Sequence, residues 1–236
     1  MKAGKWFARL LVLVLTICAL HVGGAEEAEP AAPGVHSRAG DFVFYGIYPQ
    51  TADGADSTPI EWLVLENDGE SVLLISRCAL DCQPYHDVYI KTTWERCALR
   101  AWLNEAFYNQ AFREGEKEHI LQTDVSADRN PNYGSDPGKA TTDRVFLLSI
   151  DEANRYFADD AARACAPTDY ALRQGALTSD VNQADGRMAC WFWLRTPGHQ
   201  SNYVSLVSTS GVINDGGCRT TGDFLAVRPC VRVRLS

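Results

Sequence analysis

The hydrophobic and polar positions of this chain change period several times, and each period predicts a different element. Apolar side chains alternate from 42 to 48, which predicts a strand that Pro49 ends. Apolar runs at 60–66 and 71–80 flank Asn67-Asp68-Gly69, which predicts a β-hairpin. The closing segment FLAVRPCVRVRL alternates valine with arginine and predicts a half-buried strand. The first and last strands could pair and so join the chain ends.

Two main helices are predicted between these strands. Thr92 and Glu95 have the spacing of a capping box, and apolar residues follow at i, i+3, i+4, i+7 and i+8 from Leu99. Ser149 and Glu152 repeat the capping box before DEANRYF. Residues 126–142 are turn-rich, and residues 158–189 show little period. Strands followed by helices and further strands predict a single α+β domain over 41–236.

The N-terminus has the pattern of an export signal. Basic residues precede a short apolar run and the small residues Gly23-Gly24-Ala25, so we predict a signal peptide over 1–25, with a retained anchor helix as the alternative. Residues 26–40 are rich in Pro, Ala and Glu and are predicted to be a disordered leader. The chain is then expected to be secreted or attached to the cell envelope, with no membrane span after cleavage.

The charge of the chain argues against some partners. Its formal net charge is −8, and cleavage would remove Lys2, Lys5 and Arg9 without removing any acid. An acidic exported chain is a poor candidate for binding nucleic acid or anionic lipid.

Seven of the eight cysteines lie after the predicted signal peptide. In an exported protein they are first interpreted as disulfides, and the odd number leaves one free or joined to another chain. The spacing does not fix their connectivity. It also does not match a structural zinc site.

Several motifs recur together in a known group. They are an FGIYPQ-like start, I-x-W-x-V-L, L-L-I-S, TTWE followed by LRAWLN-x-x-F-Y-x-x-A-F, D-R-V-F-L-L-S, W-x-W-L-R-T-P-G, G-x-I and V-R-P-x-V. Over residues 41–235 the chain resembles a family of exported bacterial domains of unknown function with W-W-L-R-S-P-G and V-R-P motifs. That family is distantly similar to C-type-lectin-like and formylglycine-generating-enzyme-like folds, which implies a lectin-like arrangement of mixed or antiparallel sheets.

The chain departs from both relatives of that fold in its metal-binding residues. Gln83-Pro84 is followed by Tyr85, so we predict no lectin-type calcium site. Oxidase relatives hold copper with a cysteine pair. Cys218 and Cys230 are present here, but the surrounding glycine motif of those enzymes is missing.

The best candidate site follows the tryptophan motif. Trp191 and Trp193 share one face of a strand that lacks polar alternation, so we interpret them as core in preference to a sugar platform. The next turn and the following polar loop supply the predicted ligand-binding residues, which are Arg195, His199, Asn202, Tyr203, Asn214, Asp215 and Arg219. For Arg195 the alternative is a buried arginine paired with a carboxylate. For Arg228 we favour the same structural interpretation.

No catalytic motif is present in the sequence, and we predict no catalytic residues, no metal and no cofactor. The predicted function is a non-catalytic extracytoplasmic recognition module that binds a glycan, peptidoglycan or a protein through loops 195–223. Two alternatives stay open. One is a copper-dependent oxidase-like enzyme that uses Cys218 and Cys230, and the other is a structural assembly subunit.

Overall fold

Two five-stranded sheets form the framework of the protein, and the computed structural model describes residues 37–235. The predicted signal peptide and most of the predicted leader lie outside the described residues. In chain order the strands are β1 (Phe42–Tyr48), β2 (Thr58–Asn67), β3 (Ser71–Ser76), β4 (Asp81–Cys82), β5 (Thr123–Val125), β6 (Thr141–Asp143), β7 (Val145–Phe146), β8 (Thr178–Ala184), β9 (Arg187–Cys190), β10 (Phe192–Pro197), β11 (Tyr203–Val207), β12 (Ile213–Arg219), β13 (Ala226–Val227) and β14 (Cys230–Arg234).

The first sheet has the order β1-β2-β3-β14-β7, and the second has the order β12-β11-β10-β13-β4. Most pairs are antiparallel, but β10 and β13 are parallel, so the second sheet is mixed. Two smaller hairpins, β5-β6 and β8-β9, complete the strands of the described chain. With short helices between the strands and no closed barrel in residues 37–235, the α+β class and the mixed or antiparallel sheets are confirmed.

The predicted hairpin is present, and its turn is held locally. Asp68 Oδ1 accepts hydrogen bonds from the backbone N–H groups of Glu70 and Ser71. The expected pairing of the first and last strands is wrong. β14 lies between β3 and β7, and β1 is an edge strand. The reason is burial, because Cys230, Val231 and Val233 are fully buried and require neighbours on both sides.

The first predicted helix begins later than its capping box indicated. Trp94–Arg96 form a 3₁₀ turn, and Thr93 makes no side-chain cap. α1 (Ala98–Trp102) begins after Cys97, whose sulfur accepts from the Arg100 N–H. A π turn at Leu103–Phe107 then leads into α2 (Tyr108–Ala111). A π turn contains one residue more than an α-helical turn. The extra residue places Ala106 at the surface and Tyr108 in the core.

The second predicted helix is confirmed with its cap. After the short α3 (Glu114–Lys117), α4 spans Ile150–Tyr156. Ser149 Oγ accepts from the Glu152 N–H, and the Glu152 carboxylate accepts from the Ser149 N–H. Residues 158–189, which showed no period, contain α5 (Asp160–Arg163), α6 (Asp169–Gln174) and the β8-β9 hairpin. The prediction of two main helices was therefore too simple.

The core interpretation of the tryptophan strand is confirmed. Every residue of β10 is buried, and Trp193 is 1% exposed. Trp191, just outside the strand, is half-buried. The predicted disulfides are wrong for this structure, because all seven cysteines within residues 37–235 are free thiols. Five of the seven are buried, where they pack as small apolar side chains.

Candidate functional site

The turn between β10 and β11 is the centre of the candidate site. Its ends close through the Gly198 N–H, which donates to the Tyr203 carbonyl at 2.7 Å. His199 binds the neighbouring strand β12 twice, since its backbone N–H and its Nδ1 lie 3.0 and 2.7 Å from the Gly216 carbonyl oxygen. A carbonyl oxygen only accepts, so Nδ1 is the donor in this contact.

The turn-rich loop 126–142 packs against this turn. Asn130, which is 4% exposed, donates from Nδ2 to the carbonyl oxygens of Pro197 and Asp215, both at 2.8 Å. Ser135 Oγ donates to the Gly198 carbonyl at 2.7 Å. These bonds satisfy backbone groups that the irregular turn leaves free. They also fix the position of the loop that carries Tyr133.

A third segment, residues 83–93, approaches from the other side. The Thr92 N–H donates to the Ser201 carbonyl, and the His86 N–H donates to the Thr220 carbonyl, both at 2.9 Å. These two bonds place Tyr89 beside Tyr203. Three chain segments that are distant in sequence therefore converge on one edge of the second sheet.

Four aromatic side chains and one arginine form what we call the aromatic rim, which consists of Tyr89, Tyr133, His199, Tyr203 and Arg219. The His199 and Tyr203 rings are 4.2 Å apart between centroids. Tyr133 lies 6.1 Å from His199, and Tyr89 lies 6.3 Å from Tyr203. The Arg219 guanidinium lies 5.3 Å from the centre of the Tyr89 ring, a cation–π geometry.

The polar ends of the rim are connected. Arg219 Nε donates to the Tyr203 hydroxyl at 3.5 Å, and the Tyr89 hydroxyl also bonds to it. The hydrogen bonds from Arg219 and Tyr89 lower the pKa of Tyr203, and the bond to Tyr203 raises the pKa of Tyr89. Since the Arg219 Nε–H can only donate, Tyr203 is the acceptor in that bond, and the three side chains form one polar cluster at the surface.

A polar cleft lies beside the rim. It has a volume of about 320 Å³, and its walls come from the three segments that carry the rim and from the 3₁₀ turn at Trp94–Arg96. The lining residues are Lys91, Thr92, Thr93, Arg96, Asp136 and Ser201. Hydroxyls, two cations and one carboxylate make this a cleft for a ligand that forms many hydrogen bonds.

The structure brings together part of the predicted set of site residues. His199, Tyr203 and Arg219 lie in the rim. Asn214 and Asp215 lie next to it but make internal bonds, since Asn214 accepts from the Gly217 N–H and the Asp215 carboxylate accepts from Asn132. The backbone carbonyl of Asn202 holds the Thr220 N–H. Its side-chain oxygen is buried and has no partner among the described residues.

Arg195 is placed differently, and its structural interpretation is confirmed. It is 3% exposed. Its guanidinium donates to both oxygens of Glu152, to Asp128 at 3.1 Å and to the Leu147 carbonyl at 2.9 Å. Arg195 itself is enclosed, and Glu152 and Asp128 are only partly exposed, so it holds loop 126–142 and α4 against β10 and is not open to a ligand. Arg228, 4% exposed, likewise donates to backbone carbonyls.

Sequence reasoning missed Tyr89 and Tyr133. They are 47% and 40% exposed, and both lie outside loops 195–223. One signal was available for Tyr89, because Val88, Tyr89 and Ile90 are consecutive apolar residues in a segment with no helix or strand period. All three are about half exposed. No comparable signal marked Tyr133.

The two cysteines of the copper alternative lie in different sheets. Cys218 lies on β12 at the edge of the second sheet, and Cys230 lies on β14 in the first sheet. Cys97 is 3% exposed, and burial raises its pKa to about 12. Across residues 37–235, no three or more His, Cys, Asp and Glu side chains are grouped to hold a metal ion.

Comparisons with known proteins add the family. A model described as "Domain of unknown function (DUF6273)" matches residues 69–235. No curated protein and no solved structure matches the chain. Of the helices in residues 37–235, none has the length and apolar character needed to cross a membrane.

Proposed function

Because the chain belongs to the DUF6273 family of domains of unknown function, its activity has to be argued from its own surface, and we propose that it is a non-catalytic extracytoplasmic recognition module. Its ligand binds at the aromatic rim and in the adjoining cleft. The observation that carries this proposal is the convergence of Tyr89, Tyr133 and Tyr203 with His199 and Arg219 on one exposed edge.

The composition of the rim favours recognition over catalysis or packing. Tyrosine and arginine are enriched among the side chains that contribute most at binding surfaces. Tyrosine offers a large contact area with a polar end and loses little conformational entropy. A ring edge and ring face also stack on the apolar face of a sugar. Hydrogen-bonding groups in the cleft would then bind the hydroxyls of the same ligand.

The exposure of the Val88-Tyr89-Ile90 segment supports the same site. Three consecutive apolar side chains at about half exposure cost solvation free energy in the free protein. None of the three belongs to the buried core. A bound ligand would cover these side chains and remove their apolar surface from water.

We favour a glycan or cell-wall polymer as the ligand, with a protein partner as the alternative. The proposed location outside the cytoplasm is supported by the basic, apolar and small-residue pattern of 1–25. The proposed likeness to C-type-lectin-like domains is supported by the last third of the chain, which has a tryptophan-rich strand, a hairpin and a closing strand with Val227-Arg228, and by loops that collect at one edge of a mixed sheet.

The test is a binding screen of the purified chain against neutral and acidic glycans and cell-wall fragments. It includes Tyr89→Ala and Tyr203→Ala, with Phe44→Ala as the matched control, since Phe44 is an exposed aromatic on β1. Loss of one stacked ring is expected to weaken binding by roughly tenfold or more. The control should bind like the unmodified chain.

Two results would contradict the proposal. Equal binding by the rim variants and the control would show that the ligand binds at another surface. Failure to bind any glycan or wall fragment would remove the favoured ligand class, and a protein pull-down with the same three variants would then decide whether the rim binds anything.

A further inference from the structure

A cluster of three thiols lies away from the aromatic rim, around the start of β10. Cys165 follows α5, Cys190 ends β9, and Cys78 follows β3. The Cys190 N–H donates to the Cys165 carbonyl at 2.9 Å, and burial together with the neighbouring Cys165 thiol raises the pKa of the Cys190 thiol. This bond places the two cysteines on adjacent backbone segments, as a sulfur–sulfur bond between them requires.

Cys78 lies beside this pair and is its connection to solvent. The Cys165 sulfur lies 3.4 Å from the carbonyl oxygen of Arg77, the residue before Cys78. The Ala79 N–H donates to the Ala166 carbonyl at 3.0 Å, so the two segments run side by side. Cys78 is half-buried, whereas Cys165 and Cys190 are 1% and 0% exposed.

A buried cation faces the cluster. The Arg228 guanidinium donates to carbonyl oxygens of Ser76, Arg77 and Arg163. No carboxylate of the described residues pairs with it. A buried charge without a counterion is costly, so Arg228 favours an anion close to it. Burial alone raises the pKa of Cys165, but the neighbouring Cys190 thiol and the Arg228 charge lower it below its ordinary value.

We propose that Cys165 and Cys190 are a redox-active dithiol pair, with Cys78 as the thiol that passes oxidising equivalents to it. The oxidant is a low-molecular-weight disulfide. The free thiols of this structure are the reduced state of the pair.

The exchange balances in three steps. Cys78, whose pKa burial raises to about 11, loses its proton. Its thiolate attacks the small disulfide, forms a mixed disulfide and releases one thiolate. Cys165 then attacks the Cys78 sulfur and releases the second thiolate. Cys190 loses its proton, attacks the Cys165 sulfur and regenerates Cys78. Two protein thiols are oxidised, one small disulfide is reduced to two thiols, and the protons of Cys165 and Cys190 pass to the released thiolates.

The experiment exposes the folded chain to oxidised glutathione near pH 8 and follows it by thiol titration and by peptide mass mapping without reductant. The expected product has lost two thiols and contains a linked Cys165–Cys190 peptide. Its melting temperature should rise by roughly 5–10 °C, because the link closes the chain between them.

Variants separate the roles of the three cysteines. Cys78→Ser should slow oxidation while leaving the same linked product. Cys165→Ser should stop at a glutathione adduct on Cys78. Cys97→Ser is the control, since Cys97 is a buried thiol outside the cluster and serine keeps its helix cap.

Three results would overturn the proposal, and the first two need only the unmodified chain. These are a folded chain that keeps all its thiols, a link that joins another pair, or an unchanged rate in Cys78→Ser. None depends on whether the aromatic rim binds a ligand.

Discussion

Arg195→Met tests whether the arginine of the tryptophan motif is structural. Methionine keeps most of the aliphatic stem but removes the charge and every donor. The Leu147 carbonyl then loses a partner in a fully buried position, and Glu152 and Asp128 lose their cation. Breaking a buried pair from one side costs about 3–5 kcal/mol. The two carboxylate side chains are 26% and 23% exposed, so we expect the lower end, about 3 kcal/mol.

Urea unfolding followed by tryptophan fluorescence measures this loss, and a thermal scan should show a decrease of roughly 6–12 °C. Arg219→Met is the matched control, because Arg219 is exposed and should change stability by no more than about 0.5 kcal/mol. The control should instead weaken ligand binding. A loss below about 1 kcal/mol for Arg195→Met, with an unchanged denaturant slope, would refute the structural role.

Three further predictions concern the turn, a buried acid and a helix cap. A Cβ on Gly198 would lie 2.5 Å from a carbonyl oxygen of β12, so Gly198→Ala should lower the melting temperature by several degrees and weaken ligand binding. Gly134→Ala is the control, because a Cβ there would lie in open space and should change neither property. Equal melting temperatures for the two variants would refute this. Burial raises the pKa of Asp81, so its contribution to stability is present below the unfolded value of 3.8 and is lost as the pH rises through the folded value. Urea unfolding from pH 4 to 7 should show that decline, and Asp81→Asn should flatten it; identical pH profiles would contradict the assignment. Ser149→Ala should lower the free energy of unfolding by about 1 kcal/mol, as measured in urea. Thr93→Ala removes no cap and should lower it by less. The reverse order would be inconsistent with these two caps.

Elements with a local cause could be predicted from the sequence. The β2-β3 hairpin follows from a turn whose own Asp68 side chain satisfies the turn backbone. The start of α4 follows from Ser149 and Glu152, which cap each other within one turn. In both cases every interacting group lies within a few residues, so the sequence pattern contains the whole interaction.

The same signals failed where distant packing competed with them. Thr92 and Glu95 have capping-box spacing, but the Thr92 N–H bonds to Ser201 and the Glu95 carboxylate accepts from the Lys139 N–H. The helix therefore begins at Ala98, after Cys97. A tertiary bond that involves residues about 40 to 110 positions away cannot be recognised from the spacing of two residues.

Only part of the candidate site could be predicted from the sequence, because some of its residues come from distant segments. His199, Tyr203 and Arg219 belong to one continuous β10-β12 unit, so their proximity follows from hairpin pairing. Tyr89 and Tyr133 come from two other segments, which reach the rim only through the bonds of Thr92, Ser135 and Asn130 to the turn and its neighbouring strands.

The sequence by itself determined the α+β class, the hairpin and the α4 cap, because alternation, turn chemistry and capping act over short distances. Only the tertiary structure decided that Arg195 is buried beside Glu152 while Arg219 is exposed beside Tyr89 and Tyr203. Arg195 lies within β10 and Arg219 ends β12, and the two side chains have the same chemistry. Which one faces a carboxylate inside and which one faces solvent depends on the elements that pack against each strand, and those elements are distant in the chain.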